Sequence, residues 1–331
     1  PSACRELGEH LTRRLADSSG EATVSDLVRL YTMALDSKER ALLDEVIRLK
    51  ALTDKRLALF ARLELQGRFH QKVEVLCWWR ALLARAAELG DISVRDELAW
   101  AHNSRGLTYL SLGLTELGLR DIDEAVRWFE LLVEREGQTQ LMNGLAGALN
   151  RRSEALRQLN RGTEALQHAN RAIELYAGVS HRDVSPVLGM AHHNRALIAR
   201  SLGDLASAEQ DVARAIELFT AQAHLPRLRR ELATAWHTRA GLQLTRLDCQ
   251  AAVESSTRAI QLLLELVYEQ QIELVNELAG AYNNRGAAHY RLSQFEEAMV
   301  DFTEAIKLRS ELVSRGRLEL RNDLASTCVN R

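Results

Sequence analysis

The chain has 331 residues, 46% of them hydrophobic and 27% charged, with only three prolines. Forty-three basic residues against 45 acidic ones leave a net charge of -2, which supplies no overall pull toward nucleic acid or an anionic membrane. No apolar run reaches the roughly 20 residues of a membrane span, and Cys4, Cys77, Cys249 and Cys328 lack the C-x-x-C spacing of a zinc site, fitting reduced cytoplasmic thiols.

In chain order, the polar stretch Asp17 to Glu21 around Gly20 predicts a flexible loop. Leu27, Leu30 and Met33, then Leu42, Leu43, Val46 and Ile47, predict two helices split near Asp36 and Ser37, which can cap the second. Arg56 to Gln66 and Lys72 to Leu89 predict a further pair around Gly67. The cluster Leu76, Cys77, Trp78, Trp79 reads as core, because aromatic residues on an amphipathic helix face inward far more often than outward. Residues 1–95 are thus expected to form an N-terminal helical region of degenerate repeats or a cap.

From residue 96 a phrase recurs: LAWAHNSR ending at Arg105, LAGALNRR at Arg152, LGMAHHNR at Arg195, LATAWHTR at Arg239, LAGAYNNR at Arg285 and LASTCVNR at Arg331. Its arginines lie 47, 43, 44, 46 and 46 residues apart, a period that belongs to solenoids. Each phrase opens a helix A, followed by a turn and a helix B. The step from the arginine to the first alanine of helix B is identical in four cases: Arg152 to Ala165, Arg195 to Ala208, Arg239 to Ala252 and Arg285 to Ala298. A second alanine follows two turns later in each, at Ala172, Ala215, Ala259 and Ala305, so the hairpin is a constant unit and length variation falls in the connectors. The first repeat departs, since Arg105 reaches its alanine only at Ala125, two helical turns late, and Gly113 to Arg120 is expected to be an extended turn. Pro186 and Pro226 fall just before a helix A, where a first-turn proline loses no hydrogen bond.

The run Tyr282, Asn284, Gly286, His289, the turn at Ser293, then Ala298, Phe302 and Ala305 resembles the tetratricopeptide repeat. The period exceeds that family's usual one and the proline that commonly closes helix B is missing, as in longer-helix, bacterial-type variants and kinesin light chain. The expected fold is an all-α solenoid, a right-handed superhelix with five repeats and the start of a sixth over residues 96–331. The phrase arginine occupies a slot where the family keeps leucine, and a buried charge needs a partner. Asp211 follows Arg195 at the same spacing as Asp301 follows Arg285, and these aspartates are expected to pair with the arginines. The corresponding residues are His168 for Arg152, Ser255 for Arg239 and, in an uncertain register, Trp128 for Arg105.

The resemblance implies that A helices line a concave groove. Residues one and two before the arginine are polar in the A helices: Asn103, Asn150, Arg151, His193, Asn194, His237, Asn283 and Asn284 are the candidates there, and Arg157, Arg200, Tyr290 and Arg291 lie further along. Asparagine amides can bond the main chain of an extended peptide, and arginines can grip a carboxylate. The lysines of the family's carboxylate clamp are missing. There is no P-loop, no H-E-x-x-H and no G-x-S-x-G, and adjacent His192 and His193 diverge on a helix, so neither catalysis, cofactor nor metal is expected. The expected activity is binding of a protein or peptide, in the cytoplasm. Two alternatives stand: a regulatory arm of a larger protease or nucleotide-driven signalling protein, which the truncated last repeat suggests, and self-association through the C-terminal repeat.

Overall fold

The computed structural model describes all residues except 1–9, 14, 16–21, 37–39, 49, 179–184, 224 and 269–273. The expected loop around Gly20, the cap at Ser37 and Cys4 lie outside the described residues. The chain divides into two compact units, residues 1–161 and 162–331. Among the described residues there is no strand, and no helix is long and apolar enough to cross a membrane.

The first unit begins with α1 (Val24–Asp36), α2 (Arg40–Arg48), α3 (Lys50–Leu65) and α4 (Phe69–Glu88). Their apolar stripes meet in one core of Leu27, Leu30, Tyr31, Leu42, Val46, Leu63, Leu76 and Leu82. Trp79 is buried there, its ring 5.6 Å from that of Tyr31, and Trp78 packs against the same core, as the sequence leads one to expect. The unit continues with α5 (Arg95–Ser111), α6 (Thr115–Glu130) and α7 (Met142–Gln158).

The second unit contains α8 (Gly162–Ala177), α9 (Ser185–Ser201), α10 (Leu205–Thr220), α11 (Pro226–Thr245), α12 (Cys249–Tyr268), α13 (Val275–Arg291), α14 (Phe295–Ser314) and α15 (Arg321–Asn330). Consecutive helices pair as α9/α10, α11/α12 and α13/α14, with α5/α6 the equivalent pair of the first unit. The fold is an α-solenoid of helix hairpins. Apolar residues from successive helices make its ribbon of core, for example Val212, Ala215 and Phe219 of α10 with Leu228 and Leu232 of α11.

A common turn explains why the hairpins are so constant. Gly113, Gly203, Leu247 and Ser293, which separate the helices of the four hairpins, all have positive φ, as does Asn160 after α7. All five hold the same place relative to the phrase arginine before them. The N–H of the turn residue bonds back to the last turn of helix A and the next N–H reaches one step further, as in Gly113 to Leu110 and Leu114 to Tyr109, or Ser293 to Tyr290 and Gln294 to His289. This left-handed C-cap satisfies the helix's last carbonyls and reverses the chain tightly.

The turn also corrects the first repeat. No extended turn occupies Gly113 to Arg120: α6 starts at Thr115, and Gly118 stands where the other repeats place their first alanine, with Ala125 the second small residue. A methyl group on Gly118 would come within 2.9 Å of the Gly106 carbonyl oxygen and 2.8 Å of a Leu110 methyl. The backbones of α5 and α6 are closer there than alanine allows. In α13, Gly286 leaves room for the Phe302 ring, which would lie 2.9 Å from an added Cβ.

The register shift brings Asp121, not Trp128, opposite Arg105. Arg105 grips Asp121 with two hydrogen bonds, Nε to Oδ2 at 2.5 Å and Nη2 to Oδ1 at 2.6 Å. Arg195 holds Asp211 in the same fork at 2.7 and 2.7 Å, and Arg285 holds Asp301 at 2.8 and 2.7 Å, so both expected pairs form. The remaining Nη1 donates to the preceding helix B, at Cys77, Asn170 and Thr257 respectively. Where helix B offers no aspartate in that register, the arginine turns back to an earlier carboxylate. Arg152 of α7 pairs with Asp123 of α6 at 2.9 Å, and Arg239 of α11 with Glu209 of α10 at 2.8 Å. All five arginines thus reach the helix before their own hairpin, and the three forked ones also close that hairpin.

Candidate functional site

The polar residues before each arginine fall on A helices, but they differ in burial. In the first unit Asn103 is buried at 2% exposure, and its Oδ1 has no hydrogen bond among the described residues. Asn150, Arg151 and Arg157 of α7 are half-buried. In the second unit His193 and Asn194 are buried, His237, Asn283 and Asn284 half-buried, and Arg200, Tyr290 and Arg291 exposed. The expectation of an open ladder is thus corrected at Asn103, His193 and Asn194. Neighbouring helices press on both flanks of an A helix, so a polar side chain one or two places from the arginine can be covered.

These groups bond between successive A helices. His193 Nε2 of α9 lies 2.9 Å from the Thr238 hydroxyl of α11, and Asn284 Nδ2 of α13 lies 3.4 Å from His237 Nδ1 of α11. Asn330 Nδ2 of α15 donates to Asn283 Oδ1 at 3.0 Å. Further along, Arg291 Nη1 donates to the Leu244 carbonyl at 2.6 Å, while Tyr290 packs edge-on against Phe295 with centroids 5.6 Å apart. The two members of each hydrogen-bonded pair stand one repeat apart in sequence.

Across α9, α11 and α13 several nitrogen groups gather around two glycines. A Cβ built on Gly241 would lie 3.6 Å from Arg200 Nη1 and 3.9 Å from Asn284 Nδ2. One on Gly280 would lie 3.2 Å from the His237 ring and 3.9 Å from Arg309 Nη2. Burial, reinforced by the charges of Arg200 and Arg309, pushes the His237 imidazole down to about 4. At neutral pH its ring is uncharged between two cations. Arg309 is buried on α14, donating to Asn276 Oδ1, the Asp323 carbonyl and the Thr327 hydroxyl, and burial lowers its pKa.

Sequence reasoning missed Gly241, Gly280 and Arg309. The signal for Arg309 was its helical spacing from Phe302, Ala305 and Ile306 on the inner stripe of α14. The glycines offered none, since a missing side chain matters only once a neighbour points at it.

His192 reads differently in three dimensions. It lies 2.8 Å from Asp211, in the fork of Arg195, as His102 lies 3.1 Å from Asp121 in the fork of Arg105. Burial by itself would raise both aspartates; hydrogen bonds from the histidine and arginine, with their charges, outweigh it and hold each carboxyl below the usual range. No group of three or more potential metal ligands gathers among the described residues.

The tetratricopeptide repeat family model matches residues 279–312, spanning most of α13 and α14. That segment is similar to the tetratricopeptide repeat. The other hairpins share the turn, small-residue spacing and arginine of the matched one. Solved structures similar to this chain include BtubC (BKLC) from P. vanneervenii, with a TM-score of 0.58 at 15% identity over 74% of this chain and 92% of that one. Aspartyl phosphate phosphatase F from Bacillus subtilis aligns with a TM-score of 0.53 at 14% identity, over 94% of this chain and 75% of its own. A Rap protein complexed with Competence and Sporulation Factor gives 0.51 at 13%, over 95% and 98%. At these identities the likeness is one of fold. No curated protein matches the sequence.

Proposed function

We propose that the tetratricopeptide repeats of the second unit are a protein-binding surface that holds an extended, acidic peptide segment across the A helices α9, α11 and α13. Repeat folds of this kind present surfaces for other polypeptides. The observation that carries the reading is the convergence of Arg200 and Asn284 nitrogens over Gly241, which has no side chain of its own to occupy the space. A peptide carboxylate there would meet a guanidinium and an amide N–H. Arg291 and the exposed Tyr290 extend the surface toward the end of α13. The Rap protein is crystallised in complex with Competence and Sporulation Factor, which accords with use of this fold to hold a partner.

The test is a phage-displayed peptide selection on the wild-type chain and on the Arg200→Ala/Asn284→Ala double variant. The wild type should enrich acidic segments and the variant should not, with unchanged circular dichroism. Equal enrichment by both, or none by either, removes this reading.

A further inference from the structure

A cavity that includes none of the residues of the proposed peptide surface lies in the first unit. It has a volume of about 350 Å³ and sits among α3, α4 and α5, within the range of about 300–1,000 Å³ typical of small-ligand sites. Phe60, Leu76 and Trp79 form its buried apolar wall. Trp100 and Leu57 stand at its rim, 44% and 56% exposed, a large cost for surface that meets only water. Trp100 is braced edge-on against Phe129, the centroids 5.1 Å apart, so this rim is held in place from behind.

The charges at the cavity narrow what can enter. Arg56 is buried, with its guanidinium carbon 3.5 Å from the Trp79 ring centroid, so one aromatic face already has its cation. Glu97 also lines the cavity. Its Oε2 is buried without a hydrogen bond among the described residues, and the Arg56 nitrogen facing it is 3.8 Å away, too far for one. A buried carboxylate oxygen lacking a donor is expensive, and a guest supplying one N–H or O–H would relieve it. A cationic guest would press on Arg56 in a desolvated site, and an anionic guest on Glu97. Neutral guests avoid both penalties.

We propose that this cavity binds a neutral, flat aromatic group with a single N–H or O–H donor, an indole or phenol ring, its donor on Glu97 and its face between the Phe60 wall and the Trp100 rim. The group arrives either as a free small molecule or as a tryptophan or tyrosine side chain of a polypeptide. Isothermal titration of the full chain with indole and p-cresol should give saturable one-to-one binding. N-methylindole, which lacks the donor, should bind about tenfold more weakly. Tryptamine and indole-3-acetate should both bind more weakly than indole. Trp100→Ala should weaken indole at least tenfold, and since the ligand comparison uses the unaltered chain it stands even if that variant misfolds. N-acetyltryptophanamide binding more tightly than indole supports the polypeptide source, and the reverse order supports the free aromatic. Equal affinity for indole and N-methylindole, or no saturable binding of any ring, overturns the proposal. The Arg200 and Asn284 variants of the second unit do not touch this cavity, so the two readings fail separately.

Discussion

A guanidinium removed from water must find a carboxylate, and the phrase arginines show two solutions with different consequences. Asp301 is almost fully buried under the fork of Arg285, whereas Arg239 and Glu209 meet nearer to solvent, at 29% and 20% side-chain exposure. Truncating a buried partner strands the other charge, while a half-exposed pair is partly rescued by water. Asp301→Ala should therefore cost about 3 kcal/mol and Glu209→Ala about 1 kcal/mol, measured by urea denaturation. Equal costs would mean that burial does not govern the pair. A second residue-scale effect sits in the turns. Leu247 adopts φ of 63° at a position filled by glycine in two other hairpins, and its side chain is 72% exposed, so it loses little packing if removed. Relief of left-handed strain should make Leu247→Gly more stable by about 0.5–1 kcal/mol in the same assay, after the added freedom of the unfolded chain is offset.

At the scale of the hairpin, close approach of two backbones decides which residues are tolerated. Gly106 of α5 and Gly118 of α6 face each other, and an added methyl on Gly118 meets a backbone carbonyl that cannot swing aside. Gly118→Ala should destabilise the chain by about 1–3 kcal/mol, although the equivalent residue is alanine in four other repeats. A neutral result by thermal melting would reject the tight α5/α6 crossing. The same pair shows why sequence reading stumbled here. Matching alanine to alanine skipped the glycine, shifted helix B by two turns and set Trp128 where Asp121 belongs. Counting from the arginine to the turn would have kept the register, but the left-handed cap tolerates Gly, Asn, Ser and even Leu and so hides in composition. By contrast, the constant arginine-to-alanine spacing made the hairpins, their order and two of the arginine–aspartate pairs legible, since packing of small residues leaves that distance no slack. The candidate site was less legible. Periodicity locates a residue on a helix face, but whether that face is open at Arg200 or closed at Asn194 depends on how the flanking A helices crowd it.

For the whole molecule these local charges sum into a pH profile with two steps on the acid side. The folded His237 ring resists protonation until about pH 4, whereas an unfolded ring accepts a proton near 6.5. Between those values the unfolded chain binds more protons, so stability falls as pH drops through that window and levels off below it. The drop is at most about 3 kcal/mol, and smaller to the extent that water reaches the ring. Asp121 and Asp211 act lower. Their folded carboxyls titrate below the ordinary range, so the stability they add is complete above the unfolded value and is lost as pH falls through the folded ones. Urea midpoints measured from about pH 8 to pH 3 should thus decline first between about 6.5 and 4, then again below about 4. In His237→Gln the upper decline should shrink while the lower persists, because glutamine keeps a polar group near Asn284 and takes up no proton. An upper decline of the same size in both chains would mean that His237 is not held neutral between Arg200 and Arg309.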